Sequence, residues 1–152
     1  MRNIWPGCSA VLCGLLLMSA CGPRPAAVAV DPNNAVLVQQ GQPLYQAHCA
    51  RCHGANLEGQ SDWRIRKPDG RLPAPPHDDS GHSWHHPTPM LVEIVKFGLV
   101  PPNAPEGYAS DMPAFKNILD EAQIVAVLSF IQSRWGEQTR SFRRDNKIDA
   151  PG

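Results

Sequence analysis

The densest chemistry in the chain lies in His48-Cys49-Ala50-Arg51-Cys52-His53-Gly54. Cys49 and Cys52 stand one helical turn apart with His53 directly after them, the Cys-x-x-Cys-His pattern to which c-type haem is attached. One turn of helix can present two thiols to the two vinyl groups on one edge of a porphyrin. The adjacent imidazole can then swing under the ring to iron. A thioredoxin-like redox pair would need a βαβ surround, which this sequence lacks. Half of a zinc site would need two further Cys or His ligands at finger-like spacing.

A haem iron held by His53 needs a second axial ligand, and Met112 in Asp111-Met112-Pro113-Ala114-Phe115 is the candidate. Its thioether is a soft, neutral donor that favours ferrous iron and so raises the potential. Pro113 fixes the backbone beside it, which helps hold a ligand carried on a loop. Met90 is the rival, but it sits in the first turn of an amphipathic helix, where core packing is the simpler role. His53 also needs an acceptor for its second ring nitrogen, and a carbonyl within Leu72 to Pro76 is expected to serve.

Three helical patterns could position these groups. Asn33 or Asn34 caps a first helix from Ala35 to Ala47, with Gly41 and Pro43 inside it and a kink or restart expected at Gln42. Thr88, as cap, and Pro89 open a second helix with Met90, Leu91, Ile94 and Val95, closed by Gly98. The last begins near Asp120 and presents Ile124, Val127, Leu128, Ile131 and Trp135 on one face, ending at Gly136. Of the 16 prolines, ten lie between Pro68 and Pro113, so the middle of the chain reads as loop. Between Gly54 and Pro87 no helical or alternating period is visible. A haem would supply the apolar core on which Leu57, Trp63, Leu72 and Trp84 could order this segment.

Gly41, Leu44, Tyr45, the Cys49 to Gly54 run, the Met112-Pro113-Ala114-Phe115 motif and the closing helix together resemble a small class I cytochrome c, over residues 33–136. The resemblance implies a mainly α fold, three to four helices wrapped with long loops around one covalent haem c. It also implies that the first and last helices cross at Gly41 and Tyr45. The stretch from Pro75 to His86 resembles a group of bacterial monohaem c-type cytochromes of unassigned partner. The expected activity is that of a one-electron carrier in a periplasmic respiratory or dehydrogenase chain, transforming no substrate. The alternatives are a haem enzyme or gas sensor in which Met112 dissociates, or a fixed electron-entry subunit of a larger oxidoreductase.

Residues 1–20 read as an export signal: Arg2, then an apolar stretch through Val11, Leu12 and Leu15 to Met18, then Ser19 and Ala20 before Cys21. That stretch is shorter than the roughly 20 residues a spanning helix needs. Leu17-Met18-Ser19-Ala20-Cys21 resembles a bacterial lipobox, with Met18 where leucine is usual, making Cys21 the lipidation candidate. The alternative is a soluble periplasmic protein cut near Ala20. Cys8 and Cys13 leave with the signal.

Residues 21–32 read as a linker and 137–152 as a mobile tail, with Arg140, Arg143, Arg144 and Lys147 against few apolar residues. Fourteen basic against 14 acidic residues leave no surplus for nucleic acid, and the expected partners are redox proteins and a membrane reached through the lipid at Cys21. A monomer is expected. His77, Asp78, Asp79, His82, His85 and His86 raise a second-metal alternative. Arg71, Trp84 and Tyr108 are candidates to hydrogen-bond haem propionates.

Overall fold

The structure is a computed structural model that describes Met1 and residues 29–149. The export signal, Cys8, Cys13, Cys21 and most of the linker lie outside the described residues. Among the described residues five α-helices follow one another: α1 (Ala35–His48), α2 (Ala50–His53), α3 (Thr88–Phe97), α4 (Glu121–Ser133) and α5 (Glu137–Asp145), with a 3₁₀ turn at Ser83–His85. No strand occurs among the described residues.

Asn34 caps α1, its side chain accepting from the Val36 and Leu37 N–H groups. The helix runs unbroken through Pro43, so the restart expected at Gln42 does not occur. Pro43 and Gln39, whose carbonyl loses its helical donor, both lie on the exposed side, where water can serve that carbonyl. An interior proline costs about 3 kcal/mol. Burying Leu37 and Tyr45 on the opposite side returns roughly 1.5–3 kcal/mol each, and continuity wins.

Helix α4 begins with a full capping box between Asp120 and Gln123. The expected face of Ile124, Val127, Leu128, Ile131 and Trp135 is buried, but so are Val125, Ala126, Ser129 and Gln132. The extra cover comes from segments distant in sequence. Asp31 N–H donates to Ser129 Oγ at 3.0 Å, and Gln132 Nε2 donates to Thr88 Oγ1 at 3.1 Å. The crossing of α1 over α4 falls at Gly41, where a Cβ would collide with the Ala126 carbonyl and Phe130. One turn on, Tyr45 meets the Phe130 ring with centroids 5.4 Å apart.

Thr88 was expected to cap α3, but it is the first helical residue and Pro87 precedes it as cap. The hydroxyl of Thr88 is taken by Gln132 and by Arg143 Nη2, at 3.1 and 3.2 Å.

The segment 137–152, read from the sequence as a mobile tail, contains α5, and through Asp149 it is docked on the body. Arg143 is 7% exposed and donates to the Trp84 and His86 carbonyls at 2.7 and 2.9 Å and to Asp149 at 2.6 Å, while its guanidinium lies over the Trp135 ring. Asp149 in turn accepts from the Thr88 N–H. A basic, apolar-poor stretch hides such a docking because the buried group is itself an arginine, paired only through the fold. The local signals were Glu137 in the first turn and Arg143 and Arg144 in the last, a distribution that suits the helix dipole.

Candidate functional site

Helix α2 is a single turn carrying Cys52 and His53, with Cys49 as its cap. The Cys52 and His53 N–H groups both donate to the Cys49 carbonyl, at 3.1 and 2.9 Å, so the two thiols and the imidazole are set by one closed turn. Cys49 and Cys52 are free thiols, each half-buried. Burial, with Cys52 second, pushes the Cys49 thiol up to about 11. The turn is clamped to α1 by Tyr45, whose hydroxyl donates to the Gly54 carbonyl at 2.9 Å and lies 3.3 Å from that of His53. Burial raises the proton affinity of this phenol, which stays neutral and keeps donating.

His53 is 8% exposed. Its Nδ1 lies 2.8 Å from the Pro75 carbonyl, within the window Leu72 to Pro76 expected to supply that acceptor. A carbonyl cannot donate, so the proton is on Nδ1 and Nε2 keeps the lone pair that a metal would take. Burial lowers the proton affinity of the ring, opposed by the Pro75 bond, and the imidazole is neutral at pH 7.

Met112 is half-buried and packs against the apolar core, as do Cys49, Leu44, Val95 and Trp84. Met90 is also half-buried but is not among the side chains packed on that core. The loop carrying Met112 is tied at several points. The Met112 N–H donates to Ser110 Oγ at 3.1 Å, and Phe115 N–H to the Val95 carbonyl at 3.0 Å. Asp111 pairs with Lys67 Nζ at 2.7 Å and Arg71 Nε at 3.3 Å. The Lys67 hydrogen bond holds the Asp111 carboxyl below its ordinary range. Gly98 takes a positive φ of 79° directly beside the Met112 carbonyl, so α3 ends where the loop passes.

Haem is not part of the structure, but the donor set fits one. Two free thiols one turn apart, a neutral imidazole with its outer nitrogen already bonded and a thioether on the same apolar core are what a covalent haem c requires. Arg71 Nε is shielded from solvent and, although within ion-pair distance of Asp111, makes no hydrogen bond. Its guanidinium is already ion-paired with Asp69 and Asp111, and the Nε–H is the donor it has left for a propionate. Of the other propionate candidates, Trp84 Nε1 donates to the Asp79 carbonyl at 3.3 Å, and the Tyr108 ring face lies under Arg66.

Among the described residues no group of three or more His, Cys, Asp or Glu side chains is placed to hold an ion. His82 stacks on Trp63 at 5.3 Å and His85 on Trp84 at 3.7 Å, while the Asp79 carboxylate caps the Gly136 N–H. Trp63 and Trp84, expected to order the loop against a haem, do so partly against these imidazoles.

His77 does something the sequence did not signal. Its ring stacks on that of His53, centroids 3.8 Å apart and planes 17° from parallel. Burial, then His53 and His82, push its proton affinity well below that of an ordinary imidazole. Its Nδ1 is buried with no hydrogen-bond partner, an arrangement that costs about 1–3 kcal/mol. Leu57, whose carbonyl accepts from the His77 N–H at 2.8 Å, is held at φ 69°, a conformation costing a branched residue roughly 1–2 kcal/mol.

An all-helical wrap whose first and last long helices cross at a glycine, with two thiols and an imidazole on one turn and a methionine loop ahead of the last core helix, defines a c-type haem protein. The chain belongs to the cytochrome c family, whose model matches residues 38–135. Among curated proteins it is similar to the cytochrome bc1 complex cytochrome c subunit of Mycobacterium bovis, 27% identical over 134 residues that cover 83% of this chain and 38% of that protein. The subunit of the same name from Mycobacterium tuberculosis gives the same figures. That from Corynebacterium diphtheriae is 25% identical over 153 residues, covering 97% of this chain and 47% of its own length. The chain therefore spans less than half the length of these relatives. No solved structure matches it.

Proposed function

We propose that the protein is a one-electron carrier with a single haem c, linked through Cys49 and Cys52 and ligated axially by His53 and Met112. The observation that carries this reading is the bond from His53 Nδ1 to the Pro75 carbonyl, which leaves Nε2 free beside two thiols of the same turn. When bound, the haem supplies a ferric/ferrous couple that takes an electron from a reduced partner and gives it to an oxidised one. The chain's own residues hold and shield it. His53 is kept neutral and oriented, the tied loop presents Met112, and the buried wall of Tyr45, Leu57, Phe115 and Leu128 excludes water.

The partners are redox proteins, and the relatives' name, a cytochrome c subunit of a cytochrome bc1 complex, favours a complex of that type as one of them. The site of action is the periplasmic side of a bacterial membrane, reached as a monomer through acyl chains on Cys21. Among the described residues no helix is long and apolar enough to cross a membrane. Two or more acyl chains, at about 0.8 kcal/mol per buried methylene, anchor firmly where one does not.

Two measurements test this reading. Redox titration of the holoprotein should give a single one-electron transition, and the ferrous form should leave CO unbound. Ready CO binding would establish the sensor or enzyme reading instead. Cys21→Ser should shift the protein from the membrane to the periplasmic fraction, and equal membrane retention of that variant would refute the lipid anchor.

A further inference from the structure

We infer that His77 is a positioning residue for the axial imidazole: by stacking on His53 it sets the plane in which that ring offers Nε2 to iron. This rests on the reading of His53 as a ligand. The Cβ attachment and the bond to the Pro75 carbonyl hold the His53 ring along one edge. A hydrogen bond tolerates some tilt of the ring plane about that edge, and tilting changes the overlap between the imidazole π system and the iron d orbitals. The face-to-face contact with His77, 3.8 Å between centroids and 17° between planes, removes that freedom. Partners beyond the ligands commonly orient them in this way.

His77 is itself anchored at both backbone groups. Its N–H donates to the Leu57 carbonyl at 2.8 Å, and its carbonyl accepts from Trp135 Nε1 at 2.9 Å. The segment behind it is packed backbone to backbone, since a Cβ on Gly81 would strike the Pro76 carbonyl and one on Gly59 the Pro76 nitrogen. Tyr45 lies against the His77 ring edge, centroids 6.0 Å apart. A continuous line of contacts thus joins the end of α4, through Trp135 and His77, to His53.

The side chain is not an efficient filler. A leucine would occupy similar space without the buried, unpartnered Nδ1, so the aromatic ring, not the volume, is what the position uses. His77→Leu and His77→Phe separate the two in the holoprotein. The readouts are the g values of the ferric haem by electron paramagnetic resonance, the order of the haem methyl resonances by proton NMR, and the melting temperature. His77→Phe should keep the g values and methyl order of the unmutated protein. His77→Leu should shift the largest g value and reorder the methyl resonances while melting no lower than the unmutated protein.

Trp135→Phe, which removes the hydrogen bond to the His77 carbonyl together with part of a buried ring, should shift both signatures in the same direction by less. A His77→Leu protein with unchanged g values and methyl order overturns the inference. So does a fall in melting temperature in both His77 variants with equal spectral change, since that is a general packing role. If the unmutated ferric protein lacks an imidazole-ligated low-spin signal, the ligation reading itself falls and this inference with it. An intact unmutated signal that His77→Leu leaves untouched removes this inference alone.

Discussion

On denaturing gels stained for haem peroxidase activity, the double variant Cys49→Ala, Cys52→Ala is expected to lose the haem band that the unmutated protein keeps after acid-acetone extraction. The two sulfurs are the only described thiols, and both come from the turn whose amides converge on the Cys49 carbonyl. Alanine is a good helix former, so the turn itself should survive the change. What is lost is the bond that ties a large apolar ring to the loops. Those loops have little else to pack on: from Gly54 to Pro87 the sole regular element is the 3₁₀ turn at Ser83–His85. The variant should therefore show a large fall in melting temperature along with the lost band. A covalent band surviving in the double variant overturns the attachment site. Either single variant should retain one thioether and a weaker band.

The legible part of this molecule was the part in which local sequence and global packing agree. Asp120 reads as the start of the last core helix, and it caps that helix in a box completed by Gln123. The crossing at Gly41, which the resemblance implied, is there because the Ala126 carbonyl fills the space a larger residue would need. The acceptor for His53 was predictable to within five residues because a neutral imidazole that gives one nitrogen to a metal must place its other proton somewhere, and the proline-rich segment has carbonyls with few donors of its own.

The illegible parts are those decided by contacts between distant segments. Thr88 looks like a cap until Gln132 and Arg143 claim its hydroxyl. The terminal segment looks solvated until Arg143 meets two carbonyls and Asp149 in one place. His77 looked like one of a row of candidate metal ligands, and only the fold stacks it on His53 while His82 and His85 stack on Trp63 and Trp84. A cluster in sequence on a loop carries no orientation, whereas the same residues on one helix face would have done so.

Met112→Ala carries the other large effect, and it separates a carrier from a catalyst. With sulfur as the sixth ligand, the ferric protein should show the weak long-wavelength sulfur-to-iron charge-transfer band, and the ferrous protein should ignore CO. The variant should erase the band and open the iron to CO. The potential should fall by on the order of 100 mV, within the roughly 0.8 V over which axial ligands tune haem potentials. The loop should persist in the variant, since its ties run through Ser110, Asp111 and Phe115 and not through the thioether. The ion pairs at Asp111 are exposed and screened by solvent, but the Phe115 side chain is buried in the core and its N–H ties the loop to the Val95 carbonyl of α3. Loss of the band with the fold intact is thus a statement about ligation. Met90→Leu is the control: it conserves volume, costs under about 1.5 kcal/mol, and should leave band, potential and CO response unchanged. If Met90→Leu removes the band and Met112→Ala leaves it, the sixth ligand is Met90, and the Met112 loop is only a lid on the core.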